Sequence, residues 1–236
     1  MRIIEQILDG IDDAPLSEAH LFDRACLVKS RHAGVAYRFR EERSMSGAPA
    51  AQGAMELARL ALSSELDKAS VGVAAINSLI ELRGAIPCPG SGTSLLMEWG
   101  AGRDVALVGH FAFADELRKA ARKLWVLELD PREGDLPADQ AAEVIPKAEV
   151  VAITGTTFIN HTLEGLLELA KGKKIMILGP STIMSPILFD YGVEALCGCK
   201  IVDIDEVTDR LSSGEGLRRL GGVKRMVLKT THFSIG

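Results

Sequence analysis

The central stretch from Glu149 to Gly192 most constrains the fold, because short apolar runs alternate there with segments of helical spacing. The run Val150–Ile153 is too short and too uniformly apolar for an exposed helix, so it predicts a strand covered on both faces. A second strand is predicted at Ile175–Leu178. Leucines at helical spacing predict a helix over Asn160–Ala170, with Asn160 as its N-cap. Two successive strand–loop–helix units predict a parallel sheet.

Both predicted strands end in loops of small polar residues, TGTT at residues 154–157 and GPST at residues 179–182. In an open parallel sheet, ligands bind beside the carboxyl ends of the strands, where loop amides and helix N-termini offer unpaired N–H donors. The two loops therefore predict a site for a polar or anionic small molecule. The alternative is that the hydroxyl groups only cap helices and the glycines only turn the chain.

Composition excludes several classes of partner. The chain has 236 residues and is 47% apolar, which is enough for a substantial core. A formal net charge of -5 and an aromatic content of 5% provide neither a basic stripe nor a stacking surface, so nucleic acid is not expected as a partner. No apolar run approaches the roughly 20 residues of a membrane helix. The first residues predict an amphipathic helix rather than a signal peptide, and a cytoplasmic location is expected.

Length and local composition predict two domains, residues 1–88 and 89–236. Pro and Gly are concentrated in Ala85–Thr93, as is typical of a linker. The first domain combines helices with two predicted strands, Arg24–Ser30 and Gly34–Arg40, and is of the α+β class. The second alternates strands and helices in the manner of a doubly wound α/β fold.

Two polar features of the first domain each have two interpretations. Asn77 lies in the apolar stripe of a helix predicted over Ser70–Leu82, so its amide must be satisfied by hydrogen bonds. The amide either bonds within its own domain or reaches into a cleft against the second domain. Arg38 and Arg40 alternate with apolar residues on a strand, where they either form a solvated face or bind an anion.

His110 directly follows the first predicted strand of the second domain, Val105–Val108. Chemistry is often located at the carboxyl end of such a strand, and a histidine there suits a general acid/base or a metal ligand. The alternative is a histidine that caps the neighbouring helix or bonds a loop carbonyl. A single histidine does not by itself form a catalytic constellation.

The loop after this strand, GHFAFA, bears on nucleotide binding. A dinucleotide fingerprint has the form G-x-G-x-x-G so that the backbone can approach a pyrophosphate, and this loop has two phenylalanines instead. Asp130 matches the ribose-binding acid in spacing. One matched element without the glycines argues against NAD, and S-adenosylmethionine, whose loop is less stereotyped, is the better-suited cofactor.

Cys197 and Cys199 form a Cys-x-Cys pair. As a metal site, the pair lacks the second Cys pair or nearby His that would complete a tetrahedral set. As two small residues at a strand edge, it needs no ligand. All four cysteines of the chain are expected to be reduced in the cytoplasm.

Four blocks of sequence resemble a known family. They are SVGVAAINSL at residues 70–79, VGHFAFADEL at 108–117, ITGTTFINHTLEGLL at 153–167 and LGPSTIMSPILFDYGVEALCG at 178–198. Together they resemble the uncharacterised heavy-metal chelation family over nearly the whole chain. The resemblance implies an N-terminal domain similar to the enolase N-terminal fold, a Rossmann-like C-terminal domain, and an active site where the two meet.

Carried over residue by residue, the resemblance implies eleven candidate ligand-binding residues, several of which also lie in the strand-end loops: Asn77, Gly109, His110, Phe111, Thr154, Thr156, Thr157, Asn160, Gly179, Ser181 and Ser185. The leading hypothesis is a protein that binds a small polar or anionic metabolite, such as a heavy-metal chelate or a chelator precursor, in the cleft between the two domains. The competing hypothesis is a transferase or lyase that depends on S-adenosylmethionine or a nucleotide, with His110 as acid/base. A metal ion and S-adenosylmethionine are the cofactors that these hypotheses suggest. The sequence leaves a homodimer open.

Overall fold

The computed structural model describes residues 2–39, 45–82, 87–217 and 220–230. Its first part contains three α-helices and a three-stranded antiparallel sheet in the order β1-β2-β3. A 3₁₀ helix at Arg59–Leu62 joins the second helix to the third. The bounds are α1 (Arg2–Asp9), β1 (Glu18–Leu21), β2 (Ala25–Lys29), β3 (Ala33–Tyr37), α2 (Ala54–Ala58) and α3 (Leu66–Leu79).

The second part alternates strands with short helices, as the sequence predicts. Two 3₁₀ helices, Gly155–Phe158 and Pro186–Tyr191, stand in or after the loops that follow the central strands. No helix in the described part of the chain is long and apolar enough to cross a membrane. The bounds are β4 (Cys88–Pro89), α4 (Gly92–Gly100), β5 (Asp104–Val108), α5 (Ala114–Ala120), β6 (Lys123–Glu128), β7 (Leu136–Pro137), α6 (Ala141–Val144), β8 (Val150–Thr154), α7 (Leu163–Leu169), β9 (Lys174–Leu178), β10 (Val193–Ile201), α8 (Ile204–Ser212) and β11 (Val223–Lys229).

The large sheet has eight strands in the order β4-β11-β10-β9-β8-β5-β6-β7. The six strands from β10 to β7 are parallel, and β11 and β4 extend the sheet in antiparallel fashion. Numbered along the chain from β5, the parallel strands follow the order 3-2-1-4-5-6, which is that of a Rossmann-like fold. The strand order reverses between β5 and β8, and this switch point is where open α/β sheets bind ligands.

Strand β8 confirms the prediction of a strand covered on both faces. Val151 and Ile153 belong to one apolar cluster, with residues of α6 and α7. Val150 and Ala152 belong to a second cluster on the opposite face, with residues of α4 and α5. Because alternate side chains of a strand point to opposite faces, an unbroken apolar run is what a doubly covered strand requires.

The first part of the chain shares an apolar core with the second. Ile3 and Ile7 of α1 are fully buried in the same cluster as Leu188, which lies in the 3₁₀ helix Pro186–Tyr191. Glu164 of α7 accepts a hydrogen bond from the backbone N–H of Ile3 at 2.9 Å. The division into domains at residue 88 stays a prediction, and residues 85 and 86 of the predicted linker lie outside the described residues.

Two helices differ in extent from their predictions. The helix predicted over Asn160–Ala170 begins at Leu163, and Asn160 is not its N-cap. The Asn160 carboxamide oxygen instead accepts hydrogen bonds from the backbone N–H and the hydroxyl of Thr162. The helix predicted over Ser70–Leu82 runs from Leu66 to Leu79. Its first turn contains Asp67, which is charged but buried. A prediction from apolar spacing therefore omits this turn.

Candidate functional site

A cavity of about 570 Å³ lies at the carboxyl ends of β5, β6, β8 and β9. Its floor is formed by three loops, which begin at Gly109, Thr154 and Gly179. Tyr37, the last residue of β3, and Phe39, two residues later, line it from the first part of the chain. Since the cavity includes the switch point between β5 and β8, it lies where this class of sheet binds ligands. Its volume is within the roughly 300–1,000 Å³ typical of small-molecule sites.

The three loops of the floor approach one another closely. A Cβ atom at Gly155 would lie 2.5 Å from the backbone nitrogen of Thr182, so the TGTT and GPST loops pack backbone against backbone. Gly109 has a φ of +100°, and a Cβ there would lie 3.1 Å from the Cβ of Thr154. A side chain at Gly155 would force the two loops apart.

Local hydrogen bonds hold the hydroxyl groups of the floor. The Thr154 hydroxyl accepts from the N–H of Thr156 at 3.4 Å and caps the 3₁₀ helix that follows. The Thr157 hydroxyl donates to the carbonyl of Thr154 at 2.7 Å. The Ser181 hydroxyl accepts from the backbone N–H of Tyr37 at 2.8 Å, which joins β3 to the GPST loop. The capping interpretation therefore describes part of what these hydroxyls do, although they also border the cavity.

Apolar side chains form the walls above this polar floor. The rings of Tyr37 and Phe39 meet edge to face, with centroids 5.0 Å apart. Phe111 stacks on Phe113 at 5.1 Å, and Phe111 lines the cavity. Leu129 also lines it and is 63% exposed. The arrangement favours a ligand with a polar end and a less polar body.

Charged groups at the cavity include Arg24, Arg132, Glu128 and Glu215. The Glu128 carboxylate accepts hydrogen bonds from the backbone N–H groups of His110 at 2.6 Å and Leu129 at 2.8 Å. Glu215 is paired with Arg210 at 3.1 Å. Both acids thus have protein partners, and Arg24 and Arg132 bring guanidinium groups suited to carboxylates or phosphates to the same space.

Glu128, rather than Asp130, holds the position of a ribose-binding acid. Strand β6 ends at Glu128, and its side chain lines the cavity, whereas Asp130 is exposed and is not among the lining residues. The strand was predicted to end at Leu129, one residue beyond its end in the structure. The acid was therefore assigned to Asp130 instead of Glu128. The polar residue that ends an apolar run was the available signal.

Nine of the eleven predicted ligand-binding residues line the cavity: Gly109, His110, Phe111, Thr154, Thr156, Thr157, Asn160, Gly179 and Ser181. Asn77 does not line it. The Asn77 amide donates to the backbone carbonyl of Val35 at 3.1 Å, as expected if its partner lies within the first part of the chain. Ser185 is buried beside a separate cavity of about 190 Å³. The contribution of any of these residues to ligand binding stays a prediction.

Arg38 fits neither of its two interpretations. Its guanidinium group is buried and makes a two-pronged ion pair with Asp67, at 2.6 and 3.0 Å. The pair raises the pKa of Arg38 chiefly through its hydrogen bond with Asp67. Asp67 also accepts from the backbone N–H of Met45. Arg38 is therefore a structural residue, and Arg40 lies outside the described residues.

The described residues do not fit a directly bound heavy-metal ion. They contain no group of three or more His, Cys, Asp or Glu side chains close enough to share one. Cys197 and Cys199 lie inside β10, between β9 and β11, and not at a strand edge. Burial raises the pKa of Cys197 to about 12 and that of Cys199 to about 11, so the thiolates that soft metals require are disfavoured.

We expect only one thiol to react in the native protein. Cys88 is exposed, whereas Cys26 and Cys197 are buried and have pKa values raised to about 12 by burial. Cys199 is half-buried, and desolvation raises its pKa to about 11, so little of it is thiolate at pH 8. Ellman's reagent should therefore titrate one thiol quickly at pH 8 and all four after denaturation in guanidinium chloride. Changing Cys88 to Ser should abolish the fast phase. Two or more fast native thiols would contradict this assignment.

The fold and the cavity define a Rossmann-like α/β protein with a site-sized hollow at its switch point. A family profile described as "Putative heavy-metal chelation" (DUF364) matches residues 93–230, and a second with the same description (DUF4213) matches residues 4–80. The first profile alone covers more than half of the chain. The chain therefore belongs to the DUF364 family, which confirms the resemblance seen in the sequence.

Similar proteins support the fold. A DUF364 crystal structure of unknown function from Desulfitobacterium hafniense has a TM-score of 0.85 and 22% identity, covering 97% of this chain and 98% of that one. Another from Pyrococcus horikoshii has a TM-score of 0.82 and 19% identity, with the same coverage. An uncharacterised protein of Methanocaldococcus jannaschii is 29% identical over 159 residues, or 64% of this chain. The match spans 61% of that relative's length.

Proposed function

We propose that the protein binds a small polar or anionic metabolite in the cavity between β3 and the carboxyl ends of the large sheet. The ligand is an intact heavy-metal chelate or a chelator precursor rather than a bare ion. The observation that carries the proposal is the convergence of three glycine- and hydroxyl-containing loops on one cavity of about 570 Å³. A space of this size suits a metabolite and is far larger than one ion needs.

The chemistry of the lining supports a chelate over a free metal. A chelate brings its own ligands, so the site needs no cluster of metal-binding side chains, and the described residues contain none. Chelating metabolites often carry carboxylates, for which Arg24 and Arg132 are suitable partners. The less polar body of the ligand would lie against Tyr37 and Phe111.

Thermal shift measurements with three probes test the proposal: Ni²⁺ alone, citrate alone and Ni²⁺–citrate. We expect citrate or Ni²⁺–citrate to raise Tm and Ni²⁺ alone to leave it unchanged. Thr156→Val removes one hydroxyl from the floor, and Arg132→Gln removes one charge. Each should weaken binding by about 5- to 10-fold, since one such hydrogen bond contributes roughly 1 kcal/mol and a charged one somewhat more.

Two matched variants serve as controls. Lys171→Gln removes one positive charge at an exposed position that pairs with Glu168, outside the cavity. Thr182→Val removes the buried hydroxyl of a neighbouring threonine that does not line the cavity. Both should bind the probes as the wild type does. A Tm shift with Ni²⁺ alone that exceeds the shift with the chelate, or unchanged binding by both cavity variants, would contradict the proposal.

A further inference from the structure

His110 is held by two hydrogen bonds at the edge of the cavity, one from its backbone and one at its side chain. Its backbone N–H donates to Glu128 at 2.6 Å, which fixes the loop after β5. Its ring Nδ1 lies 2.8 Å from a carboxylate oxygen of Asp135, and the Asp135 side chain is only 1% exposed. The His110 side chain itself is 22% exposed and lines the cavity. Histidine and carboxylate thus form a dyad at the edge of the cavity, which His110 lines and Asp135 does not.

The hydrogen bonds of Asp135 define which ring nitrogen carries the proton. Its Oδ2 atom is an acceptor for the backbone N–H of Arg132 at 3.2 Å as well as for His110. An ionised carboxylate has no proton and can only accept hydrogen bonds, so the His110 Nδ1 atom is the donor to Asp135 and carries the proton. Proton exchange with a ligand must then take place at Nε2.

The second oxygen of Asp135 is unusual. Asp135 Oδ1 is buried and has no hydrogen-bond partner among the described residues. A buried carboxylate oxygen without a hydrogen-bond partner is costly. The buried position places the carboxylate where it orients the imidazole through its other oxygen, as second-layer acids do in other histidine sites.

We propose that His110 is an acid–base catalyst for the metabolite bound in this cavity, and that Asp135 is its positioning residue. The inference rests on the proposed function, because it needs a ligand beside His110. In the step, Nε2 takes a proton from an O–H, N–H or activated C–H group of the ligand. The imidazolium that forms keeps its Nδ1–H bond to Asp135 and later returns the proton, so no oxidant or further reactant is needed.

The chain contains a matched control for this dyad. His20 Nε2 lies 2.8 Å from Glu18, the same distance as in the cavity. That pair is on the surface, with the His20 side chain 41% exposed, and neither residue lines the cavity. If a histidine beside a carboxylate were sufficient, both pairs would be equally reactive. The cavity is what distinguishes His110.

The Kemp elimination of 5-nitrobenzisoxazole tests the proposal without knowledge of the natural ligand. In this reaction a base removes the proton on carbon 3, the C–H electron pair forms the nitrile, and the N–O bond breaks to release a coloured phenolate. The flat probe suits a cavity walled by Tyr37 and Phe111. We expect the protein to accelerate the reaction and His110→Gln to lower the rate at least 10-fold, given that positioned acid–base groups contribute about 10²- to 10⁴-fold.

Variants of the positioning residue and the surface pair complete the test. Asp135→Asn should lower the rate several-fold, Asp135→Glu should restore part of it, and His20→Gln should leave it unchanged. Nitrogen-15 NMR of the ring, assigned with His110→Gln, should show the proton on Nδ1 in the wild type and a shift toward Nε2 in Asp135→Asn. This tautomer signature separates positioning from a merely structural role.

The outcomes separate this inference from the proposed function. A wild-type elimination rate in His110→Gln, or an unchanged tautomer in Asp135→Asn, overturns the dyad. Elimination that depends on His110 in a protein that does not respond to citrate or Ni²⁺–citrate supports the dyad while removing the chelate as the ligand. Chelate binding without such elimination leaves a binding protein and overturns the catalytic assignment.

Discussion

Replacement of Gly72 by alanine should lower the free energy of unfolding by about 3 kcal/mol or more, at or beyond the upper end of the usual cost of overpacking. Gly72 lies within α3, where the helix crosses the 3₁₀ helix Arg59–Leu62. A Cβ atom at this position would lie 1.9 Å from the backbone nitrogen of Ala61 and 2.5 Å from its Cα. Because the obstructing atoms are backbone, no side-chain rotation can relieve the clash, and the helices would have to separate.

Gly165 provides the control for this change. It also lies within a helix, α7, but it is exposed and a Cβ there would meet nothing within 4 Å. Gly165→Ala should therefore stabilise the protein by roughly 0.5–1 kcal/mol, the ordinary preference of a helix for alanine over glycine. Urea unfolding followed by circular dichroism measures both variants. Equal effects of the two substitutions would show that the close contact at Gly72 does not exist in solution.

Replacement of Asp67 by alanine should lower the free energy of unfolding by about 3–5 kcal/mol, because it leaves the buried Arg38 guanidinium without its counter-charge. Within the described residues, the Asp67 carboxylate accepts two hydrogen bonds from Arg38 and one from the Met45 backbone. The side chains of Arg38 and Asp67 are only 8% and 4% exposed, so water cannot replace the lost partner. Urea unfolding again provides the measurement.

Two further variants isolate the effect of burial. Glu65→Ala breaks the neighbouring ion pair with Lys68, whose two side chains are 59% and 37% exposed, and should cost at most about 0.5 kcal/mol. The double variant Arg38→Met/Asp67→Leu removes both charges and should recover much of the loss, since apolar pairs can replace buried ion pairs. A double variant as unstable as Asp67→Ala would show that the individual hydrogen bonds, not the uncompensated charge, determine the cost.

The parallel sheet and its loops were predictable because their signals are local. An unbroken apolar run such as Val150–Ile153 needs cover on both faces, and the polar loops that follow such runs must meet at one edge of a parallel sheet. The structure brings the TGTT and GPST loops to one cavity. The doubly wound α/β class therefore follows from periodicity, whereas the Rossmann-like strand order is visible only in the structure.

Other features depend on contacts between distant residues and leave no local trace. Asp67 reads as a surface acid near a helix start, and only the fold brings it to Arg38. Asp135 lies in a polar connection where an acid is unremarkable, and its role emerges when β5 and the segment after β6 place it against His110. Asn77 was open between two interpretations because its partner, Val35, is on another element. Tertiary hydrogen bonds decide such cases, and spacing along the chain does not encode them.

The hydrogen bond from the Tyr37 backbone to Ser181 connects the two sides of the cavity. It joins the end of β3 to the floor, so any movement of the two sides of the cavity away from each other would break this bond, at a cost of roughly 1 kcal/mol. A cavity whose sides are joined in this way is preorganised. A ligand that binds there would require little rearrangement of the protein, and selectivity would depend on how well the ligand fits.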